Sequence, residues 1–209
     1  MQEGVIGGFY RVCEWIMRLA FVNILWIGFT LLGAVFLGIM PATVALFTVI
    51  RQWLMKREGV PVYALFWRTY KSEWLKSNKL GVLIYLGSLL LYLDFRFVFS
   101  VQGEMQMLLL IPFIVLLLLF MLILLYIFPV YVHFELPVGR LLHHAFLIAF
   151  AQPFCTFFMM VSTGAFAVVY IIIPTLAPFF GAVSIAVCLM ASGMYGFQRV
   201  VNRRAVAGQ

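Results

Sequence analysis

The sequence contains very little charge for its length. Only 10% of its 209 residues are Asp, Glu, Lys or Arg, whereas 66% are hydrophobic. In a soluble domain about a quarter of the residues are charged, because much of any folded surface has to face water. The composition therefore excludes an ordinary water-soluble fold and predicts a protein that folds inside a lipid bilayer.

The sequence also lacks the alternating pattern of a membrane β-barrel. Barrel strands appear as segments of about ten residues in which apolar and polar side chains alternate. Here the apolar runs are continuous, as from Leu108 to Phe128. Because the bilayer core offers no water to backbone amides, helices are the remaining way to span it. We therefore predict an all-α, polytopic transmembrane bundle that occupies residues 1–209 as a single domain.

Motifs for catalysis, cofactors and metals are missing from the sequence as well. It contains no GxSxG nucleophile turn, no paired acidic site and no phosphate-binding loop. His133, Glu135, His143 and His144 cluster along the chain, but they lack the HExxH spacing of a zinc site. We therefore expect no enzymatic activity, no cofactor and no metal ion.

Six apolar stretches can be drawn along the chain. They cover about 18–38, 40–54, 79–99, 107–132, 145–169 and 172–197. A helix needs about 20 residues to cross a hydrocarbon core of about 30 Å. The second stretch is shorter, so it is a short span, a re-entrant helix or a continuation of the first helix past Pro41. We predict about six membrane-embedded helices.

The basic residues favour six crossings with both termini in the cytoplasm. That arrangement leaves Arg96 as the only one of the 14 Lys and Arg residues on the outer side. Five crossings would move Arg11 and Arg18 outside as well, which fits the positive-inside rule less well. The net charge of +7 is explained by basic residues that flank apolar runs and contact lipid headgroups. We expect membrane lipids, and no nucleic acid, as partners.

The segment 55–78 is the one sizeable cytoplasmic connection in this topology. Within it, aromatic rings recur every four residues while basic side chains turn toward another face. This pattern predicts an amphipathic helix that lies in the membrane interface. The helix is either a lipid-anchored connector or a docking surface, since Trp, Tyr and Arg are enriched at binding hot spots. The candidate partner-binding residues are Phe66, Trp67, Arg68, Tyr70, Lys71 and Trp74.

Residues 38–43, with the sequence GIMPAT, predict a helix break followed by a new helix. Proline is tolerated at the first helical position, where its missing N–H has no partner to lose. We interpret Pro41, Ala42 and Thr43 as a structural turn. A ligand cavity is the alternative, since broken helices form binding sites in transporters.

A few polar residues fall within the apolar stretches. Asp94 and Arg96 lie near the outer end of the third helix, where they can reach the interface. An ionisable group deeper in the membrane would instead indicate function. Asn23 and Gln152 are the other candidate intramembrane polar residues.

Three segments of the chain carry a family resemblance. They are MPATVALFTVIRQWL, GVPVYALFWRTYKSEWLKSNKLG, and YIFPVYVHFEL followed by LLHHAFLIAFAQPFCTF. With these segments the chain resembles the YesL-like family of bacterial integral membrane proteins. The resemblance implies a cell-membrane protein of Gram-positive bacteria that accompanies oligosaccharide ABC importers and sugar-responsive two-component systems. It supplies no catalytic residue. The cytoplasmic coupling loop of ABC permeases is not recognisable, so the chain is not expected to be a transport-forming permease.

Two functional hypotheses follow. In the first, the protein is an accessory membrane subunit that binds ABC importer permeases or a sensor kinase through its membrane and cytoplasmic faces. In the second, it is a small transporter or channel that acts as an oligomer, with a path lined by Asp94, Asn23, Gln152 and the Pro41 turn. Small residues four apart, such as Ala34 and Gly38, suit helix packing within one bundle or between copies, so a homo-oligomer stays open.

Overall fold

The computed structural model describes residues 2–56, 59, 61–134 and 138–207, with side chains for 7–8, 10–56, 59, 61–134 and 139–196. The described chain consists of helices and turns, which confirms the predicted all-α class. The α-helices are α1 (Gln2–Leu32), α2 (Ile39–Leu54), α3 (Val62–Val98), α4 (Glu104–Phe134), α5 (Val138–Ala151), α6 (Pro153–Ile172) and α7 (Ala177–Ala207). A short 3-10 turn, Pro174–Leu176, precedes α7.

In the part of the chain that the structure describes, five helical segments are long and apolar enough to cross a membrane. They are Tyr10–Leu32, Val62–Val98, Glu104–Phe134, Pro153–Ile172 and Pro174–Gly196. Only between 6% and 28% of the residues in their most apolar windows are buried inside the protein, so most of these apolar side chains face outward. Such a surface is stable against lipid and not against water. The chain is therefore a multi-pass membrane protein.

The short helix α2 lies at the centre of the bundle. Nine of its 16 residues are buried, and it packs against α1, α3, α4 and α7. At 1.5 Å per residue it is about 24 Å long, which is less than the thickness of a hydrocarbon core of about 30 Å. The apolar side chains of α2 therefore build the protein core. By helix length, five of the described segments can cross the bilayer, and α2 and α5 are shorter.

The break between α1 and α2 lies at residues 33–38, earlier than the predicted turn. Ala34 and Val35 adopt left-handed backbone conformations, with φ of 54° and 63°. Gly33 and Gly38 approach so closely that a Cβ on either would collide with the backbone of the other. Pro41 is the third residue of α2, and not the first as predicted. The sequence of the break is largely apolar, so its hydropathy did not mark it as a turn.

Pro41 and its two neighbours nevertheless fit the first turn of α2. The first four N–H groups of a helix have no partner within it, so the missing N–H of Pro41 costs nothing there. Ala42 is fully buried. The Thr43 hydroxyl donates to the Ile39 carbonyl at 2.6 Å and accepts a hydrogen bond from Trp26 Nε1 at 3.1 Å. The hydrogen bond between Trp26 and Thr43 joins α1 to α2.

Helix α3 contains both the predicted interfacial helix and the third apolar stretch. The prediction of a separate helix at 63–78 was wrong, because Val62–Val98 is a single helix of 37 residues. The sequence changes from polar to apolar near Asn78, but no Pro interrupts the backbone there. The Asn78 amide donates to the carbonyls of Trp74 at 2.8 Å and Leu37 at 3.1 Å. It thereby binds the middle of α3 to the α1–α2 turn.

The predicted fifth stretch is divided into α5 and α6 at Gln152. Pro153 has no N–H to donate, and proline disfavours a helical residue before it. The Thr156 hydroxyl lies 2.9 Å from the carbonyl oxygen of Ala149, the acceptor that Pro153 leaves free. It also lies 2.9 Å from the Tyr126 hydroxyl of α4. A side-chain network thus replaces the missing backbone bond inside the apolar bundle.

Candidate functional site

The structure buries some of the predicted partner-binding residues of α3 and exposes others. Phe66 and Tyr70 point into the bundle and are 0% and 6% exposed. Trp74 is half-buried, and the exposed members are Trp67, Arg68 and Lys71. The spacing of four residues correctly indicated a shared face. The expectation that this stripe contacts lipid headgroups was wrong for Phe66 and Tyr70, which pack against protein.

The buried side of α3 packs around Phe29, in the last turns of α1. The Phe29 ring centroid lies 4.9 Å from that of Tyr70, 5.1 Å from Phe66 and 5.4 Å from Trp67. The Tyr70 hydroxyl donates to the Phe29 carbonyl at 2.9 Å. Tilted aromatic contacts of this kind stabilise packing beyond the area that they bury. Sequence reasoning did not identify Phe29, because it is one of 22 phenylalanines in a largely apolar chain.

The exposed side of the first half of α3 combines large apolar groups with cations. Tyr63 is 56% exposed and Leu75 is 75% exposed. Between them, Lys71 Nζ lies 4.5 Å from the ring centroid of Trp67, within the range of a cation–π interaction. We name this surface the basic aromatic face; it consists of Tyr63, Trp67, Arg68, Lys71 and Leu75.

A polar cavity of about 320 Å³ lies between α2, α3 and α4. It is lined by Val44, Thr48, Arg51, Thr69, Ser72, Glu73, Lys76, Tyr131 and Val132. The Tyr131 hydroxyl donates to Glu73 Oε2 at 2.6 Å, and Lys76 Nζ lies 3.7 Å from Glu73 Oε1. Two cations and one carboxylate therefore meet in a single cavity.

Sequence reasoning did not find this polar cavity. It used Arg51 and Lys76 only as markers of topology and gave Glu73 no role. One signal was present, because Glu73 is the only acidic residue between Glu58 and Asp94. A single carboxylate among several cations indicates an ion-pair partner nearby in the fold.

Arg51 connects the end of α2 to the end of α4. Its Nη1 donates to the Val132 carbonyl at 3.1 Å. This carbonyl is one of the last four of α4, which accept no backbone hydrogen bond within the helix. The Nε of Arg51 is shielded from solvent and has no hydrogen-bond partner among the described residues. The Arg51 guanidinium is thus only partly satisfied by the protein.

Asn23 forms a structural contact between α1 and α7. Its side chain is 1% exposed. Nδ2 donates to the Pro178 carbonyl at 2.7 Å, and Oδ1 accepts from the N–H groups of Ala182 and Val183 at 3.0 Å each. Buried side-chain amides commonly join membrane helices in this way. The contacts give Asn23 a clear packing role.

The other intramembrane polar residues lie in different parts of the bundle. Gln152 is 6% exposed and stands at the α5–α6 break. Asp94 lines a mostly apolar groove between α3 and α4, whereas Arg96 is exposed. Pro41 is buried in α2. These residues belong to separate helix contacts, and the structure does not bring them together into one lined path.

The predicted cluster of His and Glu residues is only partly described, because Glu135 lies outside the described residues. In the part of the chain that the structure describes, no three His, Cys, Asp or Glu side chains form a group that could hold a metal ion. The polar cavity and the basic aromatic face are therefore the features left to interpret.

Together these features define a multi-pass α-helical membrane protein with a polar cavity between α2, α3 and α4. Residues 19–95, from α1 to near the end of α3, match the family described as "Protein of unknown function, DUF624". The matched region contains Phe29, Arg51, Glu73 and the basic aromatic face.

Three proteins of Bacillus subtilis (strain 168) are similar to this chain. It is 36% identical to "Uncharacterized protein YesL" over 173 residues, which cover 83% of this chain and 80% of YesL. It is 36% identical to "Uncharacterized protein YteU" over 90% of this chain and 85% of YteU. It is 33% identical to "Uncharacterized protein YesV" over the whole of both chains. The chain belongs to this YesL-like family. No solved structure matches it.

Proposed function

We propose that this protein is an accessory membrane subunit that binds another integral membrane protein through its basic aromatic face. The exposed pairing of Trp67 with Lys71, on a helix whose opposite side is fixed to α1, is the observation that carries the proposal. The family resemblance suggests the partner class, which is a carbohydrate ABC importer or a sugar-responsive sensor kinase.

The composition of the basic aromatic face supports binding to protein. A helix face in hydrocarbon carries apolar side chains, whereas one in water seldom exposes several large apolar groups together. The basic aromatic face combines the two kinds of surface. Tyr63 and Leu75 are more than half exposed, and the cations Arg68 and Lys71 lie beside them. Aromatic rings and Arg are the side chains that contribute most at binding hot spots.

The rigidity of the face supports the same proposal. Phe66 and Tyr70, on the reverse side of the same helical turns, are buried against Phe29. The exposed side chains are therefore presented by a fixed backbone. A preorganised surface loses less conformational entropy on binding than a flexible loop does.

The charge of the face indicates the chemistry of the partner. Neither Arg68 nor Lys71 has an ion-pair partner among the described residues. An acidic cytoplasmic segment of the partner would complement both cations and orient the complex. We therefore expect Asp or Glu on the partner surface that contacts α3.

In this proposal the face lies on the cytoplasmic side of a bacterial cell membrane, and both termini are cytoplasmic. The support is the excess of Lys and Arg beside this part of the chain. With five long helices, this topology requires α2 to complete a sixth crossing. Labelling of single cysteines in intact cells tests it: a cysteine at Arg68 should react only after the cells are permeabilised.

Co-purification from native membranes tests the proposed function. The tagged full-length chain should recover an importer permease or a sensor kinase, identified by mass spectrometry. Trp67→Ala combined with Lys71→Glu should abolish this recovery. Tyr92→Ala is the control, because Tyr92 is an exposed aromatic residue of α3, at 56% against 38% for Trp67, outside the face. Recovery of the chain alone in every case would refute the proposal.

A small transporter or channel that acts as an oligomer is the second candidate. It is favoured by one observation, the Asp94 carboxyl group in the apolar groove between α3 and α4, because an ionisable group within a membrane often marks an ion path. Proteoliposomes should then show a cation or proton flux that Asp94→Asn abolishes. Equal flux for both proteins, or none, would remove this candidate.

A further inference from the structure

We infer that the polar cavity between α2, α3 and α4 binds a ligand that carries a phosphate group and hydroxyl groups. The inference rests on the charges, the open hydrogen-bonding positions and the volume of this cavity. It does not depend on the basic aromatic face or on the proposed partner.

The charge balance of the cavity favours an anion. Arg51 and Lys76 are its two cations, and Glu73 is its one acidic side chain. Glu73 already accepts a hydrogen bond from Tyr131 and faces Lys76. Arg51 has no carboxylate partner among the described residues. A partly buried guanidinium without a counter-ion is costly, and a bound anion would offset that cost.

The terminal nitrogens of Arg51 can donate to an anion. Nη1 is bound to the Val132 carbonyl, whereas Nη2 has no hydrogen-bond partner in the described chain. Nε has none either, but it is shielded from solvent, so Nη2 is the donor left for a ligand. A guanidinium forms strong, charge-assisted hydrogen bonds with phosphate or carboxylate. Phosphate has enough oxygens to contact Arg51 and Lys76 and still accept hydrogen bonds from the lining hydroxyl groups, whereas a carboxylate has two.

The remaining lining fits hydroxyl groups on the ligand. The hydroxyl groups of Thr48, Thr69 and Ser72 and the second oxygen of the Glu73 carboxylate line the same space. These groups can exchange hydrogen bonds with several ligand hydroxyls. The volume of about 320 Å³ exceeds the needs of a phosphate ion and lies at the lower end of small-molecule sites, about 300–1,000 Å³.

Two sources share this ligand chemistry. The cavity lies where α2 and α4 end beside the polar half of α3, so the glycerophosphate headgroup of a phospholipid could reach it from the membrane interface. A soluble, hydroxylated phosphate monoester could enter from the aqueous side. Both offer the same phosphate group to Arg51 and Lys76.

The test measures binding to the purified full-length protein in two arms. One arm uses native mass spectrometry with phosphatidylglycerol, and phosphatidylcholine serves as the zwitterionic comparison. The other uses isothermal titration with glycerol 3-phosphate. Binding in the lipid arm alone identifies the headgroup, binding in the soluble arm alone identifies the free ester, and binding in both identifies the shared phosphate; each result supports the site.

Variants decide whether the cavity is responsible for the binding. Arg51→Lys keeps the charge and loses the planar guanidinium with its terminal N–H donors, and Lys76→Gln removes a largely exposed cation. Each should weaken binding about tenfold or more, as expected for hydrogen bonds to charged groups. Lys79→Gln, at an exposed cation of α3 that does not line the cavity, should leave binding unchanged. No binding in either arm, or equal losses for Lys79→Gln and Lys76→Gln, would overturn the inference.

Discussion

The hydroxyl group of Tyr70 in α3 donates a 2.9 Å hydrogen bond to the backbone carbonyl of Phe29 in α1. Both side chains are nearly fully buried. The bond and the ring contact fix the polar half of α3 to the end of α1. With Tyr70 buried at this contact, Lys71 remains exposed, and Trp67, which also contacts Phe29, remains 38% exposed.

Replacing Tyr70 by Phe tests this contact. The variant keeps the ring and loses the buried hydrogen bond, so the free energy of unfolding should fall by about 0.5–1.5 kcal/mol. Thermal unfolding in detergent measures the change. Tyr63→Phe is the control, because Tyr63 is 56% exposed and its hydroxyl should contribute little. Equal effects of the two substitutions would argue against the contact.

The α1–α2 turn provides a second test. A Cβ at Gly33 would collide with backbone atoms of Gly38, and backbone cannot move aside as a flexible side chain can. Gly33→Ala should therefore sharply reduce the yield of folded protein in size-exclusion chromatography. Gly28→Ala, in the neighbouring turn of α1, is the control, because nothing lies within 4 Å of its added Cβ. That change should stabilise α1 by about 0.5–1 kcal/mol.

Asn23 allows a test of the α1–α7 contact. Asn23→Ala removes the partners of the Pro178 carbonyl and of the N–H groups of Ala182 and Val183. We expect a loss of about 1–3 kcal/mol, with faster hydrogen exchange at those two amides. Ser88→Ala, which removes an exposed hydroxyl bonded within its own helix, should change little. Unaltered exchange in the Asn23 variant would contradict the assigned role.

Thr156 tests how the bundle compensates for Pro153. Thr156→Val has nearly the same shape and leaves the Ala149 carbonyl without its hydroxyl partner, so we expect destabilisation of about 1–3 kcal/mol. Thr156→Ser keeps the hydroxyl and should be much closer to the unmodified protein. Unfolding in detergent measures both. If the two variants behave alike, the hydroxyl does not satisfy the carbonyl at this break.

Hydropathy predicted the apolar helices well and their ends less well. The fourth stretch, predicted at about 107–132, is helix Glu104–Phe134. A long continuous run of apolar residues in lipid has no alternative to a helix, because its backbone groups must be hydrogen-bonded within the segment. The boundary near Asn78 was wrong, since a change of polarity does not end a helix when the backbone hydrogen bonds continue. The break at 33–38 had the opposite character: its backbone leaves the helix although its sequence is mostly apolar.

The polar cavity could not be predicted from local spacing. Glu73 and Tyr131 are 58 positions apart in the sequence, and Arg51 lies on a third helix. Periodicity did place Phe66 and Tyr70 on one face of α3. It could not show whether that face meets lipid or protein, because both environments select apolar side chains. Only tertiary packing determined that these rings are buried and that Trp67 is exposed.

Site-specific photo-crosslinking in living bacterial cells tests the proposed function most directly. A photoreactive amino acid would replace Trp67 in one strain and Tyr92 in another, and the adducts would be identified by mass spectrometry. We predict an adduct with a permease or sensor kinase at position 67 and only lipid adducts at position 92. Lipid adducts alone at position 67, or the same protein adduct at both positions, would contradict the role of the basic aromatic face.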